Sequence, residues 1–156
     1  MKASKYDFQY CQKLVLLSED GRKTLLAKRR SEADYNGVFS FVGGKMENTD
    51  KSIIDGLKRE KEEEIGASAK INIYTDSTYN VLFRKANGAS MILPHYLAKY
   101  AGGDIQINND EYSEFRWIDI KDINGFEPKI ETIPQVLGWA VKLDKTLTQQ
   151  DFVELK

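Results

Sequence analysis

The chain has 156 residues, with 23 lysines and arginines against 24 aspartates and glutamates, one histidine and one cysteine. That length suits one domain with a sizeable core, so residues 1–156 are read as a single domain. A net charge of −1 with both signs interspersed leaves no footprint for bulk nucleic-acid binding. The single cysteine excludes an intrachain disulfide framework and fits a reducing, cytoplasmic setting. No apolar run is long enough to span a membrane, and Met1-Lys2-Ala3-Ser4-Lys5 leads into no apolar stretch of the signal-peptide kind.

In chain order, Phe8 to Leu17 reads as a largely apolar strand, and Cys11 within it as core rather than nucleophile. Ser18-Glu19-Asp20-Gly21 is a turn signal. Thr24 to Arg30 reads as the returning strand of a hairpin that ends in three bases. Val38 to Val42 alternates and then meets Gly43-Gly44, which reads as a tight turn leading through a polar loop into a helix. Ser52 followed three residues on by Asp55 marks the helix start, because the serine oxygen can take an orphan backbone N–H. Gly66 marks its end as a left-handed stop.

Helical spacing puts Glu60, Glu63 and Glu64 on one face, where like charges repel. A hard cation among them relieves that repulsion, and an all-oxygen, carboxylate-rich set suits Mg²⁺ above all, then Mn²⁺. The competing reading is a solvated acidic face. Lys61 falls inside the apolar arc of Ile54, Leu57 and Ile65, so its stem is expected to cover apolar surface while its ammonium reaches water or a carboxylate.

Beyond the helix, Ala69 to Asp76 reads as a strand. Thr78 to Lys85 and Ala89 to Tyr100 flank Asn87-Gly88, a strong hairpin signal. Pro94 in the second run predicts an edge or a bulge. Gly102-Gly103 is a turn, Glu114 to Ile118 a strand, and Asp119 to Ile123 a short helical turn. Ile130 to Leu143 carries a helix-period apolar stripe, expected to cover the sheet face opposite the acidic helix. Thr148 to Lys156 is left unassigned. His95 alone cannot form a zinc site and reads as a half-buried, hydrogen-bonded residue. Tyr35, Phe83, Tyr79 and Trp117 are candidate stacking partners for a base, but aromatics in strands are more often core, so no base pocket is assigned.

The run Gly43-Gly44, Arg59-Glu60, Glu63-Glu64, Gly66 resembles the Nudix box of the MutT-like Nudix hydrolases over residues 43–67. The resemblance implies an α/β/α sandwich, a mixed sheet between helices. It also implies Mg²⁺- or Mn²⁺-dependent hydrolysis of a diphosphate linkage in a nucleotide or nucleoside diphosphate derivative. Members are commonly dimers, which makes a homodimer the assembly to test; the sequence itself leaves the oligomeric state open. The chain departs from the pattern in three places. Its loop carries one extra residue between Gly44 and Ser52, so Asp50 or Lys51 stands where the box has glutamate, and Asp50 or Glu47 must pair with Arg59. Lys61 and Ala67 stand at aliphatic positions.

By the same resemblance Glu60, Glu63 and Glu64 are the expected metal ligands, joined by the Gly43 carbonyl. Glu60 or a distant glutamate acts as base. Glu111 is the first choice for that distant carboxylate and Glu114 the second, with a solvated loop acid as the plain reading of either. Lys45 and Arg30 are the candidate phosphate contacts, with Arg29 beside Arg30 and Arg84 a weaker case. Arg59, Gly44 and Gly66 are structural parts of the motif. Glu127 and Glu131 read as loop and helix-start acids. The alternatives are a catalytically silent nucleotide sensor on this fold, which intact box glutamates oppose; an isopentenyl diphosphate isomerase, which one histidine opposes; and an interaction domain with an acidic surface.

Overall fold

The computed structural model describes residues 8–31 and 34–155; the amino-terminal stretch read above for a leader lies outside them. The strands are β1 (Phe8–Leu17), β2 (Lys23–Arg29), β3 (Phe39–Ser40), β4 (Val42–Lys45), β5 (Ile71–Ile73), β6 (Tyr79–Arg84), β7 (Ser90–Tyr100), β8 (Tyr112–Asp119) and β9 (Val153–Leu155). Two α-helices, α1 (Ile53–Ile65) and α2 (Ile133–Asp144), accompany them, with 3₁₀ turns at Ile120–Gly125 and Gln149–Asp151. The sheet is mixed: β1 runs parallel to β7, and every other ladder is antiparallel.

Strand β1 sorts the core, because its alternate side chains point to opposite faces. Leu14 and Leu16 join Leu57 and Ile65 of α1 in one buried cluster. Val15 and Leu17 join Ile133, Val136, Leu137 and Ala140 of α2 in another. The two helices therefore cover opposite faces of the sheet, as the apolar stripe of α2 predicts.

Four details differ from the sequence reading. The β1–β2 hairpin pairs at one position, Leu17↔Thr24. Beyond it, β4 occupies that edge of β1 from Cys11 to Leu14, and β2 pairs along its length with β8. Gly43-Gly44 is not a tight turn but lies within β4. Gly43 has φ +153°, and a Cβ there would stand 2.0 Å from the Gln12 carbonyl oxygen; the glycine serves close approach of two backbones. Pro94 sits in β7, which is flanked by β1 and β6 rather than exposed at an edge. It is tolerated because the β1–β7 ladder lapses there, between Tyr10↔Ile92 and Lys13↔His95. The unassigned carboxy-terminal stretch adds β9 beside β5.

Helix α1 begins as expected: the Ser52 hydroxyl accepts from the Asp55 N–H at 3.1 Å. Gly66 ends it at φ +92°, ψ 156°, a glycine-favouring conformation but not the left-handed helical one, with its N–H still donating to the Glu62 carbonyl. Lys61 is fully buried. Its ammonium reaches neither water nor a carboxylate; it donates to the Ala67 carbonyl at 3.1 Å, the backbone just past the helix end. Burial pushes its pKa below the usual lysine value. No helix among the described residues is long and apolar enough to cross a membrane.

Candidate active site

Gly44 explains how α1 reaches the cleft. A Cβ there would stand 2.1 Å from Glu60 Oε2, so the absent side chain leaves the space that the Glu60 carboxylate fills. Glu60, Glu63 and Glu64 bring one carboxylate oxygen each to within 4.8 Å of one another. Glu60 and Glu64 are 4% and 2% exposed, which a solvated acidic face does not produce. Two charged carboxylates at such a separation repel by about 3 kcal/mol at an effective dielectric of about 20.

The local electrostatics carry that cost. Burial raises the Glu60 pKa, opposed by its hydrogen bond to Arg59. Burial, with the neighbouring Glu111 carboxyl next in importance, pushes Glu64 up to about 8. Tyr112, itself buried and raised well above the usual phenol value by burial, lies against Glu64. Glu64 Oε2 is buried without a hydrogen-bond partner. An oxygen-only cluster, two of its three carboxylates buried and one exposed, with an orphaned lone pair fits a divalent hard cation, which neutralises the set and takes up that oxygen.

Arg59 holds the site together. It grips Asp50 in a two-pronged pair, Nε to Oδ1 at 2.9 Å and Nη2 to Oδ2 at 2.8 Å. Nη1 donates to Glu60 Oε1 at 2.8 Å, Nη2 to the Lys45 carbonyl at 3.0 Å, and Glu63 lies at 3.3 Å. Asp50 therefore takes the place of the box glutamate; Glu47 stands off at 3.6 Å. The Arg59 hydrogen bonds, then the Glu47 N–H, lower the Asp50 pKa to about 2. Such planar charge-assisted pairing fixes orientation as well as energy. One guanidinium thus ties the reshaped loop, the end of β4 and the acidic face into a unit.

These residues border a cleft of about 620 Å³, in the range of small-ligand sites. Gly43, Gly44, Lys45, Arg59, Glu60, Glu63, Glu64 and Glu111 all line it. Arg30 does not: its backbone N–H donates to the Glu111 carbonyl at 2.9 Å, and its neighbour Arg29 lines the cleft. Glu114 pairs with Arg116, Arg84 bonds Ser90 and Glu127 pairs with Lys129; none of these three acids and bases lines it. Gly66 caps the helix away from it.

His95 is buried, and its Nδ1 donates to the Tyr79 and Leu93 carbonyls at 3.0 and 2.9 Å, as its reading as a hydrogen-bonded residue anticipates. Tyr79 stacks toward Trp139 of α2, and Trp117 toward Tyr100. Tyr35 and Phe83 meet in the cleft. Of the pair Arg29 and Arg30 named from the sequence, Arg29 is the cleft residue, while Lys13 and Glu131 were not foreseen there. For Lys13 a signal existed, a charged residue inside an apolar strand.

A NUDIX domain family model matches residues 12–137. The chain belongs to the NUDIX family. The CTP pyrophosphohydrolase of Escherichia coli is 40% identical over 63 residues, which is 40% of this chain and 45% of that one; this NUDIX chain thus aligns with less than half of that relative. Solved NUDIX structures share the fold. A MutT protein of Methanosarcina mazei superposes with a TM-score of 0.71 at 21% identity, covering 92% of this chain and 99% of that one. The NUDIX domain of Shewanella oneidensis NrtR, crystallised with ADP ribose, gives 0.65 at 22% identity over 95% and 91%. A C. elegans Ap4A hydrolase gives 0.70 at 17% over 89% and 99%.

Proposed function

We propose that this NUDIX protein is a diphosphohydrolase that cleaves a diphosphate linkage in a nucleotide or nucleoside diphosphate derivative, with Mg²⁺ or Mn²⁺ as cofactor. Nucleoside triphosphates are the first class to test, since the partly aligned E. coli relative is a CTP pyrophosphohydrolase. The observation that carries the reading is the convergence of Glu60, Glu63 and Glu64, two of them buried, within 4.8 Å at the side of a nucleotide-sized cleft.

Glu60, Glu63 and Glu64 would hold the cation, with the Gly43 backbone beside them. When bound, it supplies charge neutralisation at the diphosphate oxygens. The chain's own groups do the rest. Arg59 fixes the Glu60 carboxylate and the loop. Lys45, and Arg29 at the end of β2, offer positive charge to the phosphates. Glu111, bordering the cleft beside Glu64, is the acceptor for the proton of the attacking water, with Glu60 the second candidate. Burial of Glu60 and Glu64 keeps their positions fixed, which matters because catalysis by placement is lost with displacements of about 1 Å.

The test is a panel of nucleoside triphosphates, ADP-ribose, dinucleoside polyphosphates, nucleotide sugars and NADH, incubated with Mg²⁺, with Mn²⁺, and with chelator. Hydrolysis of at least one substrate, abolished by chelator, is expected. Absence of turnover across the panel would overturn the proposal and leave the ligand-sensor reading in its place.

A further inference from the structure

The cleft has a second half that the glutamates do not use. Phe83 and Val81 of β6 lie opposite Met91 and Leu93 of β7 and form an apolar floor. Over that floor Tyr35 approaches Phe83, ring centroids 5.7 Å apart and tilted by 38°. Tyr35 is held at φ +57°, a conformation that costs a non-glycine residue about 1–2 kcal/mol. Its hydroxyl donates to Glu131 Oε1 at 3.0 Å, which orients that exposed carboxylate; among the described residues Oε2 has no partner, so it can accept. So an apolar, aromatic slot with a fixed carboxylate at its rim is continuous with a phosphate-facing end.

We infer that this half of the cleft is a nucleobase subsite selective for bases with an exocyclic amino group, the base lying against Phe83 and Tyr35 and donating to Glu131. A carboxylate accepts from the amino group of cytosine, and it repels the carbonyl oxygen that uracil presents at the same position. Stacking alone is indifferent to that change, because every base has a π-face. The selectivity therefore falls to Glu131, with Tyr35 as its positioning residue. The inference deepens the function proposed above and rests on it for the orientation of the phosphates.

The experiment is calorimetric titration of the whole chain with CMP and with UMP, which differ by that amino-to-oxo exchange. CMP is expected to bind about tenfold tighter, the low end of the discrimination such a contact gives. Glu131→Gln, whose amide can turn its donor outward, should shrink the preference below about threefold or invert it, without loss of thermal stability. Phe83→Ala should weaken both ligands about equally. Equal binding of CMP and UMP by the wild type, no binding of either, or a preference that survives Glu131→Gln overturns the subsite. Hydrolysis is read separately. Preferential CMP binding without turnover of any diphosphate would sink the catalytic proposal and leave the subsite standing, whereas turnover with no base preference would do the reverse.

Discussion

Replacing Gly44 with alanine tests how the acidic face is seated. The new Cβ would lie 2.1, 2.6 and 2.7 Å from Oε2, Cδ and Oε1 of Glu60, so the carboxylate must withdraw by about 1 Å to restore ordinary contact. Glu60 is 4% exposed and bonded to Arg59 at 2.8 Å, so it withdraws only by breaking that bond. A hydrogen bond to a charged group contributes about 1.5–3 kcal/mol, and overpacking adds about 1–3 kcal/mol. The expected loss of stability is about 3 kcal/mol, read by urea denaturation. Turnover of the best substrate should fall about a hundredfold, as a 1 Å misplacement implies. The double variant Gly44→Ala/Glu60→Ala removes the clash and should recover most of the stability but none of the activity. Wild-type stability in the single variant, with activity within threefold, would refute the claim that Gly44 exists to admit Glu60.

Three further outcomes follow from the packing and ionisation of the chain. Lys61→Met keeps volume while removing a buried charge, so it should be neutral or raise the melting temperature, whereas Lys61→Ala should cost about 2–4 kcal/mol through the cavity it leaves; a strongly destabilised Lys61→Met would show that the Ala67 contact is essential. His95 has its pKa lowered from 6.5 to about 4 by burial. The neutral ring is favoured in the folded state, so its contribution is complete above pH 6.5 and lost as pH falls toward 4. The difference in denaturant stability between wild type and His95→Gln should therefore change by about 3 kcal/mol over that window, and a flat difference would contradict the assignment. Gly138 in α2 has no atom within 4 Å of the point where a Cβ would stand; Gly138→Ala should add about 0.5–1 kcal/mol through helix propensity, and destabilisation would indicate a contact on that face.

Much of the acidic half of the cleft was legible because it is local. Ser52, Arg59, Glu60, Glu63, Glu64 and Gly66 lie on one helix and its caps, where spacing alone decides which side chains meet. The reshaped loop was legible only as a choice, since whether Asp50 or Glu47 meets Arg59 depends on loop conformation. Gly43-Gly44 was misread because a glycine pair signals a turn equally with a close approach, and only the position of Gln12 and Glu60 separates the two. Arg29 rather than Arg30 faces the cleft by the plain alternation of β2: Leu25 and Ala27 lie in the cluster under α1, and Arg29, two residues on, lines the cleft on that side, so naming the pair was possible from sequence but choosing between them needed the strand's facing. The apolar half of the cleft was legible only in part: Tyr35 and Phe83 stood among four candidate stacking partners, but nothing showed that they meet each other and Glu131. Tyr35, Phe83 and Glu131 come from separate loops and strands, and no spacing rule joins residues that only the tertiary fold brings together.

The central claim is that the buried glutamate face performs the hydrolysis, and Glu64→Gln tests it most directly. The amide preserves shape, and it removes the negative charge from the most buried of the three carboxylates. With Mg²⁺ present and the fold intact by circular dichroism, the account predicts at least a hundredfold drop in product release from the best diphosphate substrate. A Glu64→Gln protein that turns over that substrate at the wild-type rate would contradict it.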